Sequence, residues 1–370
     1  MWMKPLVPLS ALLLLAACQA AGPKAPPGPL AGVSTVGVID SEELDASQVA
    51  APCDAAENLV ATARDGQIRG HRLVALAEAC VRRGSKRDLG QAFLGYGLQQ
   101  IGKPREGLQA LKNLLGFPDS ARVLVQPGGD LARVLGHEAR SYFYAASARW
   151  PEATADLDRA IEAQTNADAV VTGALLARRG FYETLEGDGL AAQASFDAAA
   201  ARWQTAEGAS EIAFEKALGD LGRARWDAAA SGFDQVFRSS GSSYRRAQAA
   251  LLGYLADAQV ALLADQPIGA ARNRLDTRLR QSAPAASLAP FAELLQGRVG
   301  PEAALGVAEQ NALQNVEASR AQAYLYIGIY HLLRGERDLA GAAWSRGLST
   351  RVTTLPDYLL MQGLRRAQSL

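Results

Sequence analysis

The stretch YLYIGIYHLLRGERDLAGAAW, residues 324–344, sets a small residue, Gly328, twelve positions before another, Ala340, and a bulky apolar one, Trp344, four further on. Residues four apart on a helix share a face, so Ala340 and Trp344 point the same way. Gly335 falls five residues before Ala340, where a chain that doubles back must bend. The pattern predicts two antiparallel helices in close approach at Gly328 and Ala340, with the bulky residue plugging the space between neighbouring hairpins. The same triplet recurs as Gly95, Gly107, Leu111; Ser141, Ala153, Leu157; Gly180, Ala192, Phe196; and Ala217, Ala229, Phe233. Gly102 and Gly187 hold the turn in two of these units, Ala148 and Ala224 in the other two. Trp150 and Trp226 each stand three residues before the alanine of their unit, as a wedge opening the second helix.

Working outward, the chain beyond Cys53 is rich in alanine and leucine and poor in alternating β-branched runs, so it reads as helix after helix. Ala229 and Ala340 are 111 residues apart, room for two more degenerate hairpins, with Ala271 and Leu275, and Ala304 and Ala308, on their second helices. Cys53 to Arg83 reads as a further hairpin broken at Asp65-Gly66. Thr354-Leu355-Pro356-Asp357 reads as a helix start, with Leu359, Leu360 and Leu364 capping the stack and Arg365 and Arg366 placed at the helix C-terminus. An insertion at residues 116–130, carrying Pro118, Pro127, Gly128 and Gly129, reads as a surface loop.

Tyr324-x2-Ile327-Gly328-x2-His331, then Ala340-x3-Trp344, resembles the tetratricopeptide pattern W-x2-L-G-x2-Y, then A-x3-F, and Gln91-x2-Leu94-Gly95-x2-Leu98 is a second copy. The family's later prolines are mostly missing, and the spacing is looser than its period of about 34 residues. The resemblance implies an all-α fold: a tetratricopeptide-like helical-hairpin solenoid of about eight hairpins with a C-terminal capping helix, over residues 53–370. Such a solenoid exposes a concave surface, lined by first helices, that suits extended peptides or partner helices. Directly after the small residue of each first helix come Tyr96, Tyr142, Phe181, Leu218 and Ile329. Tyr96, Tyr142 and Phe181 are the candidate partner-binding ladder; the other reading of the same stripe is packing against the preceding hairpin. The asparagine and lysine of the family's carboxylate clamp do not occur at groove positions.

At the N-terminus, Lys4 and an apolar run from Leu6 to Ala17 lead into Leu15-Ala16-Ala17-Cys18, which resembles the lipobox of bacterial lipoproteins. The resemblance implies a signal peptide over residues 1–17 and a lipid on Cys18, the first residue of the mature chain. A twelve-residue run falls short of the roughly 20 residues that span a bilayer, and Pro5 and Pro8 disturb a helix. An ordinary secretory leader and a spanning anchor are the alternatives. Gln19, where aspartate signals inner-membrane retention, points to the outer membrane with the body facing the periplasm. Residues 18–52, crowded with Pro23, Pro26, Pro27 and Pro29, read as a tether with an r.m.s. reach of roughly 35 Å; Val33 to Ile39 is its apolar exception, a short strand or a segment docked on the body. Lipobox, tether and repeats together resemble the periplasmic adaptor lipoproteins that gather envelope enzymes such as peptidoglycan hydrolases and proteases. Pilus-assembly or secretion lipoproteins are a second reading, and an envelope enzyme with a helical-solenoid body is a third.

Composition narrows the chemistry. With 49% hydrophobic residues the chain affords a sizeable core, and 38 basic against 38 acidic residues leave no electrostatic footprint for nucleic acid. The expected partners are a protein or peptide, and the membrane through the lipid. His71, His137 and His331 stand at no metal-ligand spacing, His331 being read as packing, and no phosphate-binding or nucleophile-elbow motif occurs. Glu186-Gly187-Asp188-Gly189 reads as a repeat turn rather than a calcium loop. We expect no catalytic group, metal or cofactor. Cys53 and Cys80, an even pair once Cys18 carries lipid, sit where one helix starts and its partner ends, so a disulfide is expected; a reactive thiol served by His71 is the alternative.

Overall fold

The structure, a computed structural model, describes residues 48, 50–61, 70–83, 86–115, 129–164, 168–282, 284, 286–312 and 315–369. The signal peptide, Cys18, almost all of the tether, the Asp65-Gly66 break and nearly all of the 116–130 insertion lie outside these residues. Among the described residues there are seventeen helices and no strand. In chain order they are α1 (Pro52–Ala61), α2 (Gly70–Arg83), α3 (Arg87–Gln100), α4 (Pro104–Leu115), α5 (Gly129–Ala146), α6 (Trp150–Glu162), α7 (Ala169–Glu186), α8 (Gly189–Arg202) and α9 (Ala206–Gly222). There follow α10 (Trp226–Ser239), α11 (Ser243–Leu263), α12 (Gly269–Ser282), α13 (Ala289–Leu295), α14 (Pro301–Gln310), α15 (Val316–Leu333), α16 (Arg337–Ser349) and α17 (Pro356–Ala367). Eight hairpins and a terminal helix result: the all-α, tetratricopeptide-like solenoid of the sequence reading.

Local chemistry sets the helix boundaries. Asp168, Asp188, Thr205, Ser242 and Asn315 turn side-chain oxygens to backbone N–H groups of the first turns of α7, α8, α9, α11 and α15. Proline opens α6, α13, α14 and α17, where its missing N–H costs nothing. All five turn positions read from the sequence adopt positive φ: Gly102 at 77°, Gly187 at 108° and Gly335 at 77°, but also Ala148 at 54° and Ala224 at 55°. The two alanines accept a left-handed conformation that costs an L-residue roughly 1–2 kcal/mol. Five reversals in one conformation keep successive hairpins in register.

Three hairpins close visibly on their small residue. Leu111 lies against Gly95, Phe196 against Gly180 and Trp344 against Gly328, so close that a Cβ on any of these glycines would clash. Trp344 also donates its indole N–H to the Leu325 carbonyl at 3.1 Å. In these three units the bulky member of the triplet seats inside its own hairpin, a correction to the expectation that it fills the gap between neighbours, whereas Phe233 does reach the next hairpin and packs on Gly253 of α11. Between Ala229 and Ala340 the two degenerate hairpins are α11–α12 and α13–α14, with Ala271, Leu275, Ala304 and Ala308 buried on their second helices. In the first hairpin Cys53 and Cys80 are disulfide-bonded with Cα atoms 4.9 Å apart.

The array curls until its ends meet. Asn315, at the start of α15, donates to Gln100 of α3 at 3.4 Å, and the Thr353 hydroxyl donates to Gln99 at 3.0 Å. Gly102 packs on the Thr350 carbonyl, leaving no room for a side chain there. Inside this curl lies α17, in contact with α16 and α15 of the last hairpin but also with α9 and α5, the first helices of the fifth and third hairpins.

Candidate functional site on the concave face

Tyr96, Tyr142 and Phe181 are the first residues to place, because the sequence nominated them for partner binding. Their relative exposures are 1%, 2% and 0%, so they form no accessible ladder. The Tyr96 and Tyr142 rings lie 6.4 Å apart, and the Arg178 guanidinium of α7 sits 5.4 Å over Tyr142. The position after the small residue therefore faces the next first helix in the stack instead of the groove. Leu218 and Ile329 are buried in the same way. Burial lifts the Tyr96 and Tyr142 hydroxyls well above their ordinary range and Tyr182 to about 12, keeping all three neutral.

Charge is buried along this stack, in pairs. Arg178 of α7 meets Glu215 of α9 at 2.5 Å, and Arg245 of α11 meets Glu211 of α9 at 2.7 Å while lying 3.9 Å over Phe214. Asp156 of α6 collects Arg140, Arg159 and His137; burial opposes its charge, yet the Arg140 and His137 hydrogen bonds hold its carboxyl below the usual range. Of the histidines, His137 is buried against Asp156, His331 pairs with Glu336 at 2.6 Å and His71 is exposed. No three histidine, cysteine or carboxylate side chains converge as a metal site among the described residues.

The inner face is occupied by α17. Pro356 and Asp357 open the helix, and the apolar residues Leu359, Leu360, Met361 and Leu364 are each at most 1% exposed, Leu360 reaching Gly222 of α9 and Met361 packing on Gly347 of α16. Burying each is worth about 2 kcal/mol before entropy is counted. Gly363 lets the backbones of α17 and α9 touch: a Cβ there would lie 2.6 Å from the Gly222 carbonyl oxygen. Gln362 donates to the Ala146 carbonyl at the end of α5 at 2.8 Å, and Arg366 lies 5.8 Å from the Trp150 ring. Asp357 is buried opposite α15 and α11; burial pushes its carboxyl up to about 6, against the pull of a Gln322 hydrogen bond and the Arg245 charge.

The sequence signalled α17 and its apolar residues but read them as a lid on the last hairpin. The helix does cover α16, yet it also runs inward across the groove. The signal that could have shown this is Gly363, a glycine amid the apolar residues of a helix, which marks a close backbone approach. Chemically the arrangement is a helix-in-groove site: a cradle of first helices holding an amphipathic segment by apolar burial with few directional contacts.

No family model and no curated relative matches the chain. Among solved structures it is similar to the TPR domain of P58(IPK), at a TM-score of 0.23 and 13% identity, over 87% of this chain and 98% of that one. A likeness at that level carries no argument about sites or partners.

Proposed function

We propose that the chain is a scaffold that binds a helical segment of a protein partner on its concave face, held at the outer membrane by a lipid on Cys18 and working in the periplasm as an adaptor for envelope enzymes such as peptidoglycan hydrolases or proteases. The observation that carries the binding half is the seating of α17: the inner surface of α5, α9 and α15 accepts an amphipathic helix. The anchoring half is supported by Leu15-Ala16-Ala17-Cys18 and the short apolar run before it. Several acyl chains, at about 0.8 kcal/mol per buried methylene, make release negligible.

Two measurements test the two halves. Cys18→Ser should yield an uncleaved or soluble chain on fractionation, and the same variant still cleaved and lipid-labelled would end the anchoring idea. Capture with the full-length protein from envelope extract, followed by peptide identification, should return a hydrolase or protease in stoichiometric amount. Pilus or secretion subunits would favour assembly of those machines instead, and no stoichiometric partner would defeat the scaffold.

A further inference from the structure

We infer that the cavity at the seam of the curl, where the turn before α4 meets the connection into α17, is the docking site of this chain's own tether. Val33 to Ile39 fill it, and the acidic run Asp40-Ser41-Glu42-Glu43-Leu44-Asp45 lies on its basic rim. Residues 33–45 lie outside the described ones; cavity, charge and reach point to them. The docking gives the proposed lipid anchor a shorter standoff, and that consequence alone rests on the anchoring.

The cavity measures about 450 Å³, and its walls carry Phe143 and Ala146 from the end of α5 and Tyr358 from α17, all half-buried. Exposed Lys103, Arg105 and Arg351 stand around it against one carboxylate, Glu106. None of the three cations is in an ion pair among the described residues. Pro104 opens α4 at the same rim, so the positive end of that helix adds to the field. An occupant must bring apolar side chains followed closely by negative charge. Val33, Val36, Val38 and Ile39, followed by Asp40, Glu42, Glu43 and Asp45, bring them in that order. A second cavity, between α14, α15 and α16, sets Glu302 against Arg346 and holds a His331 already paired with Glu336, so it offers an acidic segment no net attraction.

The reach is sufficient. The chain enters α1 through Ala50, whose carbonyl accepts from Arg83, the last residue of α2, at 2.6 Å. From Arg83 back to Gly70, α2 is about 20 Å long. Gly70 packs on Ile101, the neighbour of Gly102 in the cavity wall. Asp40 to Val49 extends to about 34 Å, enough to carry Ile39 along α2 to the seam. A segment tethered this closely is present at an effective millimolar level, so modest affinity keeps it docked. Docking leaves residues 18–32 as the free tether, and its r.m.s. reach falls to roughly 23 Å.

The test is hydrogen exchange on the full chain in detergent at low salt. Amides of residues 33–39 should be protected at least tenfold over those of Gln19 to Gly22. The triple variant Lys103→Glu, Arg105→Glu and Arg351→Glu, confined to exposed side chains, should abolish that protection. Adding Asp40→Lys, Glu42→Lys, Glu43→Lys and Asp45→Lys in that background should restore it. The double variant Val36→Asp and Val38→Asp should vacate the cavity and bind a fluorescent peptide of residues 33–45 at least tenfold more tightly than the wild type. An unprotected wild type, protection that survives reversal of the rim, or equal peptide binding by both chains would each overturn the inference. Protection that grows with protein concentration would seat the segment in a second copy and overturn docking within one chain. Cys18→Ser should lose the anchor and keep the protection, so failure of the anchoring and failure of the docking are read separately.

Discussion

In the stack of first helices, Arg178 and Arg245 carry buried charge from one hairpin to the next and meet Glu215 and Glu211, while α17 buries Asp357 in no salt bridge among the described residues. Burial lifts Glu211 as well, with Arg245 offsetting part of the effect, and burial opposes the Arg178 charge that Glu215 then sustains. Both regions are apolar at their centres and equally closed to water. They differ in how a buried carboxylate is answered: Glu215 and Glu211 each meet a guanidinium directly, whereas Asp357 has a Gln322 hydrogen bond and the field of Arg245. Buried polar atoms without a hydrogen-bond partner occur in both, Tyr182 and Ser210 in the stack and Thr354 and Gln362 at α17. Equal burial therefore does not imply equal electrostatic balance.

The comparison breaks most visibly through the stack. Phe181→Ala should lose about 3–5 kcal/mol of stability in urea denaturation, as fully buried aromatics do, and a loss under about 1 kcal/mol would mean the stripe is not core. Arg178→Met should cost about as much, because Glu215 is left charged, buried and alone; adding Glu215→Leu should recover most of the loss, since it is the broken pair that is costly. Failure of the double variant to recover would show that the pair contributes net stability of its own.

Next in size is the staple. Replacing Cys53 and Cys80 by serine releases a loop of 27 residues, worth roughly 3.5 kcal/mol in the chain-entropy model. The loss should fall on α1 and α2 and leave exchange in α7 to α11 unchanged, because stability in a repeat array passes mainly between neighbours. Uniform loss of protection along the chain would contradict that.

Asp357→Asn sharpens the other side of the comparison. The carboxyl titrates at about 6 in the folded chain against 3.8 unfolded. Between those values the native state holds the extra proton, so stability falls as pH rises through them and the whole penalty is present above 6. The neutral variant should therefore be more stable than the wild type at pH 7.5, by on the order of 2–3 kcal/mol, with the difference closing by about pH 4. Thermal melts of both chains at the two pH values check this; a variant less stable at pH 7.5 would make the Asp357 charge a favourable contact. Smallest of all, Leu190→Ser, on a residue 89% exposed at the start of α8, should shift stability by no more than about 0.5 kcal/mol.

Much of this architecture was legible because its determinants are local. The twelve-residue interval from Gly328 to Ala340, the turn at Gly335 and the seat of Trp344 all lie within one hairpin, where helix geometry converts spacing into contact. The degenerate hairpins could be located at Ala271 and Ala304 for the same reason. The ladder was not legible: Tyr96 and Tyr142 occupy positions whose spacing serves a groove or a neighbouring helix equally well, and only the rotation of α3 against α5 makes them neighbours. The site at α17 lay further still from local signals, since Gly363 and Gly222 meet across 140 residues of chain.

The sequence by itself determined the hairpins: their number, their turns, the small residues at their waists and the existence of a terminal amphipathic helix, all consequences of rotamers, φ preferences and the 3.6-residue period acting over fewer than forty residues. Only the tertiary structure decided where that last helix goes. Each hairpin adds a small rotation to the one before it, and no local residue pattern encodes the sum. Over eight hairpins that sum brings Gln99 to Thr353 and turns the inner face into a cradle that α17 reaches and fills.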